Sequence, residues 1–154
     1  TAEKGLALLA QAIDELVAAG YPFMALFIGS GPERELLRNY GNSLVLDFMK
    51  WKDLAPYYRA SDVAVWPRSI STSSLDASAS GLPVIMSSSE PAKERWEGIG
   101  ASYKDGDILS LKSVLLEYLD AAKRASDSAA AVSRMRSLYS WNVIAESYLN
   151  IIQG

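Results

Sequence analysis

The chain of 154 residues contains no cysteine and no histidine. Without cysteine there is no disulfide framework and no thiolate metal site. Without histidine the commonest general base and the commonest metal ligand are both gone. No apolar run approaches the roughly 20 residues of a membrane span, and no signal peptide is visible at the start. A cytoplasmic location is the default expectation. Nor is there a basic stretch able to track a nucleic-acid backbone: 15 basic residues stand against 18 acidic ones, for a net charge of −3. No nucleic-acid partner is expected.

What is present is an ordinary soluble composition, 49% hydrophobic and 21% charged. A chain of this length is read as one domain over 1–154, able to bury roughly 70% of its unfolded surface. Its organising stretch is Asp62 to Ser87. Two short apolar runs, Val63–Trp66 and Pro83–Met86, have the length of buried strands. Between them lie a polar loop, Pro67–Ser74, and a helical stretch, Leu75–Ser80, stopped by Gly81. Strand, loop, helix and strand make a βαβ unit. In a parallel α/β sheet ligands sit at the carboxyl ends of the strands, so this hydroxyl-rich loop is the candidate site.

Around it, apolar spacing predicts a helix over Lys4–Ala19 with Gly20 as its C-terminal stop, and a buried strand over Phe23–Ile28. Gly29-Ser30-Gly31 is read as turn chemistry, because Arg34 stands where a dinucleotide fingerprint needs its third glycine. A helix over Glu33–Tyr40, a strand over Leu44–Phe48 and a helix over Asp53–Ala60 follow. Beyond the central unit come a short helix over Glu90–Trp96 and an edge strand over Ala101–Tyr103. The last helices are read over Asp107–Leu119, Ala121–Leu138 with a break near Ser126-Asp127, and Trp141–Ile152 capped by Ser140. Trp66, Trp96 and Trp141 are read as core or interface residues. Strands alternating with helices predict an α/β fold: a Rossmann-like parallel sheet with flanking helices.

Five segments, in order, resemble the C-terminal, donor-binding domain of GT-B-fold retaining glycosyltransferases of family 4. They are KGLALLAQAIDEL (Lys4–Leu16), ALFIGSGPERELL (Ala25–Leu37), DLAPYYRASDVAVWP (Asp53–Pro67), LDASASGLPVI (Leu75–Ile85) and YSWNVIAESYL (Tyr139–Leu149). The family places a strand ending in Gly-Arg before the Lys-Gly helix, in the middle of the sheet. Thr1 falls just past it. The resemblance therefore implies a piece of a two-domain enzyme with its first strand missing and unpaired backbone on both sides of the gap.

The resemblance also assigns roles. Lys4 matches the lysine that holds the donor diphosphate. Asp76 stands at the second glutamate of the Glu-x7-Glu motif, which binds the ribose hydroxyls. Arg68 occupies the place of the first glutamate, which in the family touches the sugar. Ser71, Thr72, Ser73 and Ser74 replace a Gly-x-Gly-Leu stretch that cradles phosphate, and Met49 and Trp51 follow the strand where the base packs. The bland alternatives are a solvated lysine, a helix-start aspartate and a serine-rich turn.

The function these features imply is nucleotide-sugar binding in a glycosyltransferase that moves a sugar from a UDP- or GDP-sugar with retention. No metal and no cofactor are expected, only the donor substrate. The acceptor, a sugar or a lipid, would be held by an N-terminal domain, with peripheral membrane association of the whole protein compatible with a lipid acceptor. Two alternatives are carried: a degenerate, non-catalytic GT-B-like domain kept for assembly or regulation, and one half of a sugar-nucleotide epimerase.

Overall fold

The computed structural model describes residues 4–153. It holds seven α-helices and five strands, which alternate as far as the fourth strand. They are α1 (Leu6–Ala18), β1 (Ala25–Ile28), α2 (Arg34–Arg38), β2 (Ser43–Leu46), α3 (Ala55–Ala60), β3 (Ala64–Trp66), α4 (Ser73–Ala79), β4 (Val84–Ser87), β5 (Gly100–Tyr103), α5 (Ile108–Glu117), α6 (Ala121–Leu138) and α7 (Trp141–Gln153). Short 3-10 turns stand at Trp51–Asp53 and Lys93–Arg95.

Every strand pairing is parallel, but the strands form two sheets, β1-β2 and β3-β4-β5. The division falls where the family resemblance puts a central strand. Among the described residues nothing fills that place, and β1 does not pair with β3. The halves are held by α1 and a shared core instead. Leu9, Ala10, Ala12, Ile13 and Leu16 of α1 join Ala25 and Phe27 of β1, Ile85 of β4, Tyr103 of β5 and Leu111, Val114 and Leu115 of α5 in one cluster. Each such buried Leu or Ile stabilises by roughly 1.5–3 kcal/mol. Lys112 adds an ion pair to Glu15 at 2.6 Å between α5 and α1.

β4 shows why a continuous apolar run reads as a strand buried on both faces. Ile85 points into the α1/α5 layer. Val84 and Met86 point the other way, against Ile99 and against Ala131 and Met135 of α6. Gly20, with φ 91°, ends α1: its N–H donates to Val17 C=O and the Tyr21 N–H to Leu16 C=O, the paired bonds of a Schellman stop. Asp14 accepts from the N–H groups of Gly41 and Asn42 and from the Asn42 side chain, tying the α2–β2 loop to α1. The Asn42 side chain, with the backbone donors behind it, holds the Asp14 carboxyl below its usual range.

Several expectations shift. The first strand starts at Ala25, leaving Phe23 outside and Met24 70% exposed. The Glu33–Tyr40 helix contracts to Arg34–Arg38, and Glu90–Trp96 to a single 3-10 turn. α6 runs unbroken through Ser126-Asp127, because the Asp127 carboxylate is engaged by the Tyr118 hydroxyl (2.8 Å) and Lys123 (3.3 Å) instead of by its own backbone. Trp66 and Trp96 pack against the α6-side core, but Trp141 is 84% exposed and belongs to no core.

Tyr103, 2% exposed, donates its hydroxyl to the Pro67 C=O at the point where the chain leaves β3. Burial, with Asp105 nearby, pushes its phenol up to about 12. Burial and Asp127 move Tyr118 the same way. An unfolded tyrosine ionises near ~10. Below that pH both states are protonated and the buried phenols keep their full stabilising effect. As pH rises from about 10 toward 12 the unfolded chain loses its protons first, and for Tyr103 about 3 kcal/mol is lost. Urea midpoints measured between pH 8 and 12 should fall above pH 10, and Tyr103→Phe should flatten that fall. Identical slopes for the two proteins would remove Tyr103 as a cause.

Candidate functional site

The chain leaves the carboxyl end of β2 at Leu46 and turns through Asp47–Lys50 into the 3-10 turn at Trp51–Asp53. It leaves β3 at Trp66 and crosses the serine-rich segment into α4. These two departures face each other across an open cavity of ≈ 580 Å³, within the usual range of small-ligand sites. One wall is Phe48, Met49, Trp51 and Leu54, with Lys50 and Lys52 beside them; the other is Thr72, Ser73 and Asp76. Trp51 is 79% exposed, so its ring presents a face to the cavity instead of filling the core.

Five of the sequence candidates therefore meet: Met49, Trp51, Thr72, Ser73 and Asp76. The rest are placed differently. Helix α4 begins at Ser73, two residues before the expected Leu75, so Ser73 and Ser74 are helical and not loop. Ser74 is 1% exposed and turns inward, where it accepts from Arg95 Nη1 at 3.3 Å. The Ser74 N–H donates to Ser71 C=O and the Leu75 N–H to Thr72 C=O, so those amides are already in use. The Ser71 hydroxyl bonds the Ser73 hydroxyl and accepts from Trp66 Nε1 at 3.3 Å. Of this stretch, Thr72 and Ser73 line the cavity, Ser71 is exposed beside them and Ser74 is withdrawn from it.

Lys4 is exposed and does not line the cavity. Its neighbour Gly5, however, reaches the loop that leads into the serine segment. Gly5, at φ 67°, lies so close to the end of β3 that a Cβ there would come 3.2 Å from Pro67 Cβ and 3.7 Å from Arg68 Cβ. Arg68 pairs with Asp105 at 3.5 Å, and Asp105 accepts from Ser87 Oγ at 3.0 Å. A guanidinium held by a carboxylate occupies the place where the family resemblance puts a free carboxylate.

Two residues that sequence reasoning left out of the site belong to its surroundings. Tyr58 of α3 is half-buried. Burial, followed by the charge of Asp76, raises its phenol, against a hydrogen bond with Ser73 that lowers it. It stays protonated at neutral pH and ties α3 to Ser73 of the cavity wall. The spacing of Leu54, Tyr57 and Tyr58 puts it on the inner side of α3, but spacing does not show its partners. Arg95 is the other, and no local signal marks it. Among the described residues no three acidic side chains converge as a metal site would require, and no helix is long and apolar enough to cross a membrane.

Parallel strands, helices on both faces and a cavity at the carboxyl ends of β2 and β3 are the architecture of one half of a GT-B glycosyltransferase. Solved structures share it. Sucrose-phosphate synthase from Thermosynechococcus elongatus superimposes with a TM-score of 0.83 at 22% identity, over 99% of this chain and 42% of that one. HepE from Anabaena, solved in complex with UDP and glucose, gives 0.79 at 17% identity, over 99% and 46%. The chain belongs to the glycosyl transferases group 1 family, whose model matches residues 1–121. It is 28% identical to a GDP-mannose-dependent monoacylated alpha-(1-6)-phosphatidylinositol monomannoside mannosyltransferase of Corynebacterium glutamicum, over 98% of this chain and 44% of the relative. The chain thus spans less than half the length of each of these proteins.

Proposed function

We propose that this chain is the donor-binding half of a two-domain glycosyltransferase and holds the nucleotide of a UDP- or GDP-sugar in the cavity between β2 and α4. The observation that carries the reading is the meeting of an exposed aromatic face, Trp51, with hydroxyls and a carboxylate, Thr72, Ser73 and Asp76, in one cavity of ligand size. The base lies against Phe48, Met49 and Trp51. Asp76, whose carboxylate makes no hydrogen bond or ion pair among the described residues, accepts from the two ribose hydroxyls. The diphosphate runs toward Thr72, Ser73 and Lys4, where donors and a cation stabilise the charge that grows on the leaving group. The acceptor, a sugar or a lipid, is held by a second domain, and transfer proceeds with retention. The relative's use of GDP-mannose and HepE's bound UDP support a nucleotide-sugar donor.

Calorimetry with UDP and GDP tests this. Two charge-assisted hydrogen bonds are worth about 1.5–3 kcal/mol each, so Asp76→Ala should weaken the preferred nucleotide at least ~10-fold. Lys4→Ala should weaken the diphosphate and spare the nucleoside. Binding unchanged in Asp76→Ala removes the assignment. A second reading, binding without turnover, is favoured by the Arg68–Asp105 pair in the sugar-facing position. Full-length protein that binds the donor but releases no free nucleoside diphosphate in the presence of acceptor would select it.

A further inference from the structure

Arg95 closes the 3-10 turn after β4 and lies 21 residues from the serine it touches. Its Nη1 donates to the buried Ser74 hydroxyl at 3.3 Å, and its guanidinium lies 5.8 Å over the Tyr139 ring. Its Nε is shielded from water and has no partner. No carboxylate pairs with it among the described residues, although the other salt bridges tie up seven basic side chains elsewhere. The turn that carries it is fixed from below: Arg134 of α6 donates from Nη1 to the carbonyls of Glu94 (2.9 Å) and Glu97 (2.6 Å).

A half-buried guanidinium without a counter-charge, and with an orphaned N–H, is an unfavourable arrangement unless something offsets it. The tyrosine ring offsets part. The remaining positive charge is directed at the serine segment. That segment is held at its other end by Trp66 Nε1, which donates to Ser71, while Ser71 bonds Ser73. Trp66 from β3 and Arg95 from the turn after β4 therefore grip the same four-residue stretch at its two ends. The grip leaves Thr72 and Ser73 on the cavity side.

We propose that Arg95 is a positioning residue for anion binding: through Ser74 it fixes the serine segment, and its unpaired charge makes the cavity face of that segment favourable for the diphosphate of a nucleoside diphosphate. The ligand rests on the donor-site reading above; the grip on the segment does not. Arg95 makes no contact with the ligand. Its charge acts from behind the Ser74 hydroxyl, and the uncharged nucleoside portion of a ligand does not sense it.

Two measurements separate the parts. Amide hydrogen exchange on the ligand-free chain reads the grip. Arg95→Ala and Ser74→Ala should each speed exchange at the Ser74 and Leu75 amides about 10-fold or more, with β4 amides unchanged. Calorimetry with UDP and with uridine, at two salt concentrations, reads the charge. Arg95→Ala should weaken UDP about 10-fold, leave uridine unchanged and flatten the salt dependence, and Arg95→Lys should restore most of the UDP affinity. Unchanged segment exchange in both alanine variants overturns the grip. Equal loss of UDP and uridine, or an unaltered salt slope, shows a merely structural arginine and overturns the charge role. Wild-type chain that binds neither UDP nor GDP yet shows Arg95-dependent protection sustains the grip and defeats the donor-site reading.

Discussion

Gly100→Ala will strongly destabilise this chain or keep it from folding. A Cβ at Gly100 would stand 1.9 Å from the Val84 carbonyl oxygen and 2.8 Å from the Val84 carbonyl carbon and nitrogen. Gly100 is the residue that pairs with Val84 where β5 joins β4. The clash is therefore backbone against side chain, with no flexible group to swing aside. β4 cannot retreat, since Ile85 is packed on one face and Val84 and Met86 on the other. β5 would have to leave its register, taking with it Tyr103 and the hydroxyl that anchors Pro67. Backbone clashes of this kind belong to the class above about 4 kcal/mol, a large part of a total stability of roughly 5–15 kcal/mol. For a domain of this size the melting temperature should fall on the order of 10 °C or more, or folding should fail outright. Gly41→Ala is the control, because a Cβ there meets nothing within 4 Å. A Gly100→Ala protein that melts with the wild type would show that β5 does not sit on β4 in this register.

How much of this was readable beforehand depended on whether the deciding contacts were local. The order of helices and parallel strands followed from hydrophobic period alone. The buried run Val84–Ser87 is apolar throughout because layers cover both of its faces. Asp107 was legible as the start of α5, and it does accept from the N–H groups of Leu109 and Ser110. The serines misled. Serine favours caps and turns, which placed Ser73 and Ser74 in a loop, whereas a guanidinium from a distant turn engages the Ser74 side chain and frees its backbone for the helix. The cavity was legible only because strand ends gather ligands and because the family resemblance marked Met49, Trp51 and Asp76. The grip of Arg95 was invisible, since neither periodicity nor spacing reports a contact across that separation. Trp141, read as core or interface, is not core for a plain reason: α7 touches α6 and leaves Trp141, Tyr148, Ile151 and Ile152 outside.

Amide exchange along β1 should alternate between slow and very fast. The N–H groups of Ala25 and Gly29 donate across to Asn42 and Leu46 carbonyls beside β2. In a parallel ladder alternate residues face the same neighbour, so Phe27 does likewise while Leu26 and Ile28 face the other side. There, among the described residues, β1 has no partner strand. The same argument holds for β3: Ala64 donates to Pro83 C=O, so Val65 faces away from β4 into the same gap. Ladder amides in the core open only with the whole domain, while unpaired edge amides exchange without it. A global stability of 5 kcal/mol or more therefore separates the two sets by roughly 10³-fold or more. Phe27 and Ile85 should be slow, and Leu26, Ile28 and Val65 fast, although Val65 packs against the same apolar core as Phe27 and Ile85. The halves stay together regardless, because α1 spans them: its buried side chains meet β1 on one side and Ile85 and the α5 residues on the other. Loosening that helix should then speed the slow amides in both sheets together, since neither sheet holds the other directly. Equal protection at Leu26 and Phe27 would mean that a strand occupies the gap. Protection that rises with protein concentration would identify that strand as belonging to a second copy, pairing along edges that nothing in the described chain covers.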